Sequence, residues 1–200
     1  MKKVLFVATV VKGHILKFHV PYFKWFKENG YEVFVVANND FDNKEDCIIP
    51  YCDHYFDLTF TRNPLSLSNL NAYKKLKKII EENDFSIIHC HTPVGGVLGR
   101  LAARKCVNTK VIYTAHGFHF YKGASVINWL LYYPIEKFCS RFTDVLITIN
   151  KEDYDIASKK FFQKEIYLVK GVGVSFATRS DQKTDVLEKL NITKDDFVLM

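Results

Sequence analysis

The sequence predicts a doubly wound α/β domain built on a mainly parallel sheet. Two observations predict it. Apolar runs without polar alternation recur along the chain, and segments with helical periodicity lie between them. A strand covered by helices on both faces reads as a continuous apolar run. Strand–helix alternation at this spacing makes a parallel sheet with right-handed crossovers.

The strand runs are Val4–Thr9, Tyr31–Ala37, Phe85–Cys90, Val111–Ala115 and Val145–Ile149. The first helix is expected over about His14–Glu28, stopped by Asn29-Gly30. It places Ile15, Phe18, Tyr22, Trp25 and Phe26 on one face and Lys17 and Lys24 opposite, with a kink at Pro21. A second helix covers about Ser68–Glu82, where Tyr73, Leu76, Ile79 and Ile80 form a stripe beside Lys74, Lys75, Lys77 and Lys78. Further helices are expected over about Gly95–Lys105 and Ile127–Arg141, and from the cap Asn150, with Asp153 at its third position. After Glu165–Val169, the stretch Ser180–Lys194 reads as a linker with a short polar helix, and Phe197–Met200 as the start of a strand. The expected division is therefore one domain over residues 1–175, then a linker and the beginning of a second domain over 176–200.

Composition narrows the class. Of 200 residues, 48% are apolar and 25% charged, which excludes disordered, collagen-like and low-complexity chains. The five cysteines are odd in number and irregular in spacing, without a CxxC pair, as expected of free thiols in a reducing compartment. Neither Cys47, Cys52 and His54 nor His89-Cys90-His91 has the spacing of a zinc site, so no metal is expected. The N-terminal VLFVATVV is too short to span a bilayer and leads straight into Lys12 without a cleavage site. A cytoplasmic protein is expected. The net charge of +6 comes without a nucleic-acid recognition motif, so no nucleic-acid partner is expected. The lysine-rich second helix could instead dock on the anionic inner face of a membrane, or simply be a solvated face.

Ligands of doubly wound sheets bind beyond the carboxyl ends of the strands. That rule selects three loops, Val10–Lys17, His91–Gly99 and His116–Ser125. Gly13 either lets the backbone approach a phosphate at a helix N-terminus or serves an ordinary tight turn. A lone glycine is no GxGxxG fingerprint, which argues against a dehydrogenase. His91 and Thr92 lie at a strand end, whereas His89, two residues earlier, reads as a core histidine. His116, followed by Gly117, is placed to bond a sugar hydroxyl or a developing charge, with a pKa near working pH. A purely structural histidine is the alternative.

The stretches GHILKFHVPYFKWFKENGYEVFVVA, IIHCHTPVGGVLGRLAAR, YTAHGFHFYKG and LLYYPIEKFCSRFTDVLITINKEDYDIA, with the later GVGV, carry a resemblance. In order and spacing the chain resembles the N-terminal, Rossmann-like half of family-4 glycosyltransferases of the GT-B fold. The most similar subgroup builds bacterial capsule, exopolysaccharide or other surface glycans. The resemblance implies metal-independent, retaining transfer of a sugar from a nucleotide-sugar, a UDP-sugar foremost, with no cofactor. It implies a lipid-linked saccharide as acceptor and a cytoplasmic enzyme peripheral on the inner face of the membrane. His116 matches the family's active-site histidine, and Gly13 would approach the donor diphosphate. His14, His91, Phe118, His119 and Lys122 would line the acceptor side, and Gly171 and Gly173 match the turn before the interdomain linker. Two departures stand out. The paired glycines of the first loop are reduced to Gly13, and the Glu-x7-Glu element, which belongs to the second domain, has no counterpart. The chain alone is thus expected to lack most donor affinity and turnover. A non-catalytic sugar- or nucleotide-binding module and a GT-B nucleotide-sugar epimerase are the rival readings.

Overall fold

The computed structural model describes residues 1–61, 66 and 68–171. The strands are β1 (Lys2–Val10), β2 (Tyr31–Asn38), β3 (His54–Asp57), β4 (Phe85–His91), β5 (Lys110–Ala115), β6 (Val145–Thr148) and β7 (Glu165–Leu168). They form one sheet in the order β3-β2-β1-β4-β5-β6-β7, with every pairing parallel. The doubly wound α/β class is as the sequence predicts. The two edge strands, β3 and β7, lie outside the five apolar runs. Each is mostly exposed or half-buried, so it lacks the continuous apolar signal of a central strand.

Alternation along the strands divides the core between two faces. Leu5 and Val7 of β1 join Phe34 and Val36 of β2 on one face, covered by helices α3 (Ser68–Glu81), α4 (Pro93–Ala103), α5 (Val126–Cys139) and α6 (Lys151–Lys160). Val4, Phe6 and Ala8 join Val33, Val35 and Ala37 on the other, covered by Ile15 and Phe23. α4 packs so close to the sheet that a Cβ on Gly96 would strike the Tyr113 ring and one on Gly99 the Cys90 sulfur. α6 is capped as expected: the Asn150 side chain accepts from the Asp153 N–H at 2.8 Å.

The first helix differs from expectation. Instead of one kinked rod there is a π-helical turn over Val11–Ile15, a short α1 (Leu16–Phe18), a break at His19, and α2 (Val20–Glu28). Pro21 sits in the first turn of α2, where its missing N–H costs no helical bond. The break resets the helical phase. Phe23 becomes the fully buried residue, while Tyr22 and Trp25, expected on the core face, are exposed. The lysine-rich α3 uses Ala72, Leu76 and Ile80 against the core, and Lys77 and Lys78 pair with Glu81 and Glu82. Its apolar stripe is therefore packed against the core. No helix among the described residues is long and apolar enough to cross a membrane. Gly171 has φ +80°, the left-handed conformation that a glycine turn supplies. Gly173 and the expected second-domain segment 176–200 lie outside the described residues.

Candidate functional site

The strand order reverses between β1 and β4, which opens a crevice at their carboxyl ends. Three chain segments converge there. β1 runs into the π-helical turn that carries His14, β4 ends at His91 and passes into Thr92, and β5 is followed by His116. Gly117, with φ +126°, turns the chain immediately after His116, a conformation that an L side chain resists. A cavity of about 840 Å³ fills the crevice. Its polar end is formed by Thr9, Gly13, His14, Thr92 and His116, and its apolar arm by Val97, Leu98, Leu101, Ile135 and Phe138.

Thr92 is the strained residue of the site. Its φ is +61°, costly for a β-branched side chain, and its hydroxyl ties the end of β4 to the end of β1. The hydroxyl donates to the His91 carbonyl at 2.5 Å, accepts from the Thr9 N–H at 3.1 Å and meets the Thr9 hydroxyl at 2.6 Å. A Cβ on Gly95 would come within 2.9 Å of that hydroxyl oxygen, so close packing accounts for the glycine.

Four histidines, His14, His19, His91 and His116, form one cluster. His14 packs edge-on against His116 with centroids 4.8 Å apart, and His19 lies 3.9 Å from His91. Burial lowers the pKa of His14 to about 4, helped by repulsion from His116. Burial, with the other histidines, pushes His91 well below its ordinary value. Burial also lowers His116. That shift, away from the ordinary histidine value the sequence reading assumed, favours the uncharged imidazole. His89 is a satisfied core histidine, as expected, with Nε2 2.9 Å from the Thr114 hydroxyl.

The sequence-predicted residues separate into three groups. Gly13, His14 and His116 meet at the polar end of the cavity. His91 touches the same cluster but is buried behind the wall, so it faces other histidines rather than the cavity. Phe118 and His119 border the cavity; Phe118 is buried against Phe120, and exposed His119 stacks on Tyr132 at 4.5 Å. Lys122 is exposed beyond the lining, its backbone N–H held by the Glu152 carboxylate.

Three features were missed in the sequence. His19 is five residues from His14, which on a regular helix points it about 140° away; the π-helical turn and the break bring the two rings together. The Asp40 carboxylate accepts from the Lys12 N–H at 2.6 Å and the Gly13 N–H at 3.0 Å. A diphosphate at Gly13 would have to displace it. Arg100, 1% exposed, pairs with Glu136 at 2.7 Å and lies 3.9 Å over the Tyr113 ring, and both of these partners line the cavity. No local motif announces a pair drawn from two helices.

Comparison with known proteins decides the family. The family described as "Glycosyl transferase 4-like" matches residues 3–150. The chain belongs to the glycosyl transferase 4-like family. It is 48% identical to EpsD of Bacillus subtilis (strain 168), a protein assigned as a glycosyltransferase, over 100% of this chain and 52% of EpsD. It is 29% identical, over 72% of its own length and 38% of the relative's, to the Escherichia coli UDP-Gal:alpha-D-GlcNAc-diphosphoundecaprenol alpha-1,3-galactosyltransferase. The chain thus spans about half the length of EpsD or less than half of the other relative. Among solved structures, sucrose-phosphate synthase from Thermosynechococcus elongatus matches with a TM-score of 0.66 at 15% identity, over 98% of this chain and 54% of that one. The MnaA–UDP structure from S. aureus matches at 0.63 and 13% identity, over 96% and 52%. At those identities the likeness shows the shared fold.

Proposed function

We propose that this chain is the acceptor-side half of a retaining glycosyltransferase that moves a sugar from a UDP-sugar to a lipid-linked saccharide in surface polysaccharide synthesis. One observation carries the reading: one cavity is lined by hydrogen-bonding residues at the strand termini and by a mostly apolar set from α4 and α5, Glu136 apart. A saccharide attached to a hydrocarbon has both characters. The name of the Escherichia coli relative, with its diphosphoundecaprenol-linked acceptor, supports the same substrate class.

In this reading His116 presents a neutral imidazole to the transferring sugar and orients it by hydrogen bonding. Thr9 and Thr92 fix the strand ends around it. The donor diphosphate enters beside Gly13, where it competes with Asp40 for two backbone N–H groups. Most donor contacts come from a second domain. Membrane association falls to α5, whose Val126, Ile127 and Leu130 are each more than 70% exposed, close to exposed Tyr121 and Lys122.

The test uses protein expressed from its full reading frame, a panel of labelled nucleotide-sugars and a polyprenyl-diphosphate saccharide, with no divalent cation added. Label entering the organic phase from one donor is expected. His116→Ala should lower that turnover at least about 10²-fold, typical for a positioned catalytic group. Unchanged turnover in the variant would remove His116 from the reaction. Conversion of the nucleotide-sugar itself, without transfer, would indicate an epimerase, and binding without either reaction a sugar-binding module.

A further inference from the structure

Four imidazoles from three segments of the chain meet at and behind the polar end of the cavity. One ring nitrogen of each of His14, His19, His91 and His116 lies within 4.8 Å of the others. His19 and His91 are each 2% exposed and form the inner side of the group, while His14 and His116 border the cavity. Both nitrogens of His19, both of His91, and Nε2 of His14 and His116 are buried without a hydrogen-bond partner. Leaving a buried polar atom unpaired is costly, and one ion bound through one nitrogen of each ring would pair four of these six. A neutral imidazole offers one lone pair to a cation.

The donor set identifies the partner's chemistry. It contains four imidazoles and no carboxylate or thiolate. Magnesium and calcium take oxygen ligands, which this cluster lacks. Neutral imidazole suits zinc and its neighbours in the first transition row. We propose that His14, His19, His91 and His116 bind a divalent first-row transition cation, Zn²⁺ foremost. Zinc–nitrogen bonds of about 2.0–2.1 Å in a tetrahedron put the ligand atoms about 3.4 Å apart. A bound ion would have to draw together ligand atoms that now lie up to 4.8 Å apart. A closed shell of four protein ligands is the pattern of a structural ion. It would pin the π-helical turn and the break at His19 to the ends of β4 and β5. This ion is held by the protein, so it is compatible with a transfer reaction that needs no added metal. His14 and His116 belong as well to the proposed sugar site, and an imidazole that ligates through one nitrogen keeps the other for the cavity.

The experiment uses untagged protein from the full reading frame, stripped with chelator. It is titrated with Zn²⁺ against a chromophoric chelator, and separately with Co²⁺ followed by visible absorption. One tightly bound Zn²⁺ per chain is expected, with the intense cobalt bands of a tetrahedral site and a rise in unfolding temperature on zinc addition. His19→Asn should weaken zinc at least about 100-fold, the upper range for losing even an outer-shell partner. His54→Ala, which alters an exposed histidine on β3, should leave binding unchanged. The cobalt spectrum of the unaltered protein decides the matter even if His19→Asn fails to fold. Substoichiometric zinc, a weak octahedral cobalt spectrum, or binding unaffected by His19→Asn in a folded variant would overturn the proposal. Zinc bound without sugar transfer leaves this site standing and counts against the transferase reading; transfer by a protein that binds no zinc does the reverse.

Discussion

His116 and Gly99 show how far single residues were legible. His116 was found because a histidine directly after a buried strand and before a glycine is a local pattern. Its lowered pKa was not legible, because the burial that causes it comes from distant segments. Gly99 stands where α4 meets the sheet, and the structure shows why: a Cβ there would run into the Cys90 sulfur. Gly99→Ala should therefore destabilise the protein by about 1–3 kcal/mol, the usual range for overpacking. Urea unfolding checks it. Combining it with Cys90→Ala should cost less than the sum of the two single changes, since the second removes the atom in the way. Strict additivity would show that the clash is not the cause.

Elements were legible where one face repeats and illegible where two segments cooperate. The five central strands announced themselves by apolar runs, and α6 by its cap. The edge strands did not, because an edge needs little apolar surface. The break at His19 escaped because Pro21 permits either a kink or a new helix start, and only packing chooses. The Arg100–Glu136 pair joins α4 to α5 and was invisible for the same reason. Both partners are under 10% exposed, so removing one leaves a buried charge unpaired. Glu136→Ala should cost about 3–5 kcal/mol in urea unfolding. Replacing both partners together by apolar residues of similar size should cost much less. An equal loss in both proteins would mean that the pair is not what holds these helices. α5 carries exposed apolar residues at its start, Val126, Ile127 and Leu130. Burying one such side chain is worth about 1.5–3 kcal/mol. Ile127→Asp with Leu130→Asp should then lower flotation with anionic vesicles at least about tenfold, and undiminished flotation would move membrane contact elsewhere.

At the scale of the whole molecule, the location of the site followed from topology alone. The order reversal between β1 and β4 puts a crevice where the three glycine- and histidine-bearing loops meet. What the crevice holds was only partly legible. Its polar end is built from residues near strand ends, but its apolar arm combines α4 and α5 and has no contiguous signature. That arm is the basis for assigning a lipid-linked acceptor, so it should be tested directly. Leu101→Trp narrows the arm while leaving the polar end intact. Steady-state kinetics on the full-length protein should show KM for a polyprenyl-linked acceptor raised at least about tenfold, with KM for the nucleotide-sugar unchanged and transfer to the same saccharide without its lipid unaffected. Equal effects on the lipid-linked and lipid-free acceptors, or no effect on either, would contradict a cavity that holds the lipid-linked acceptor.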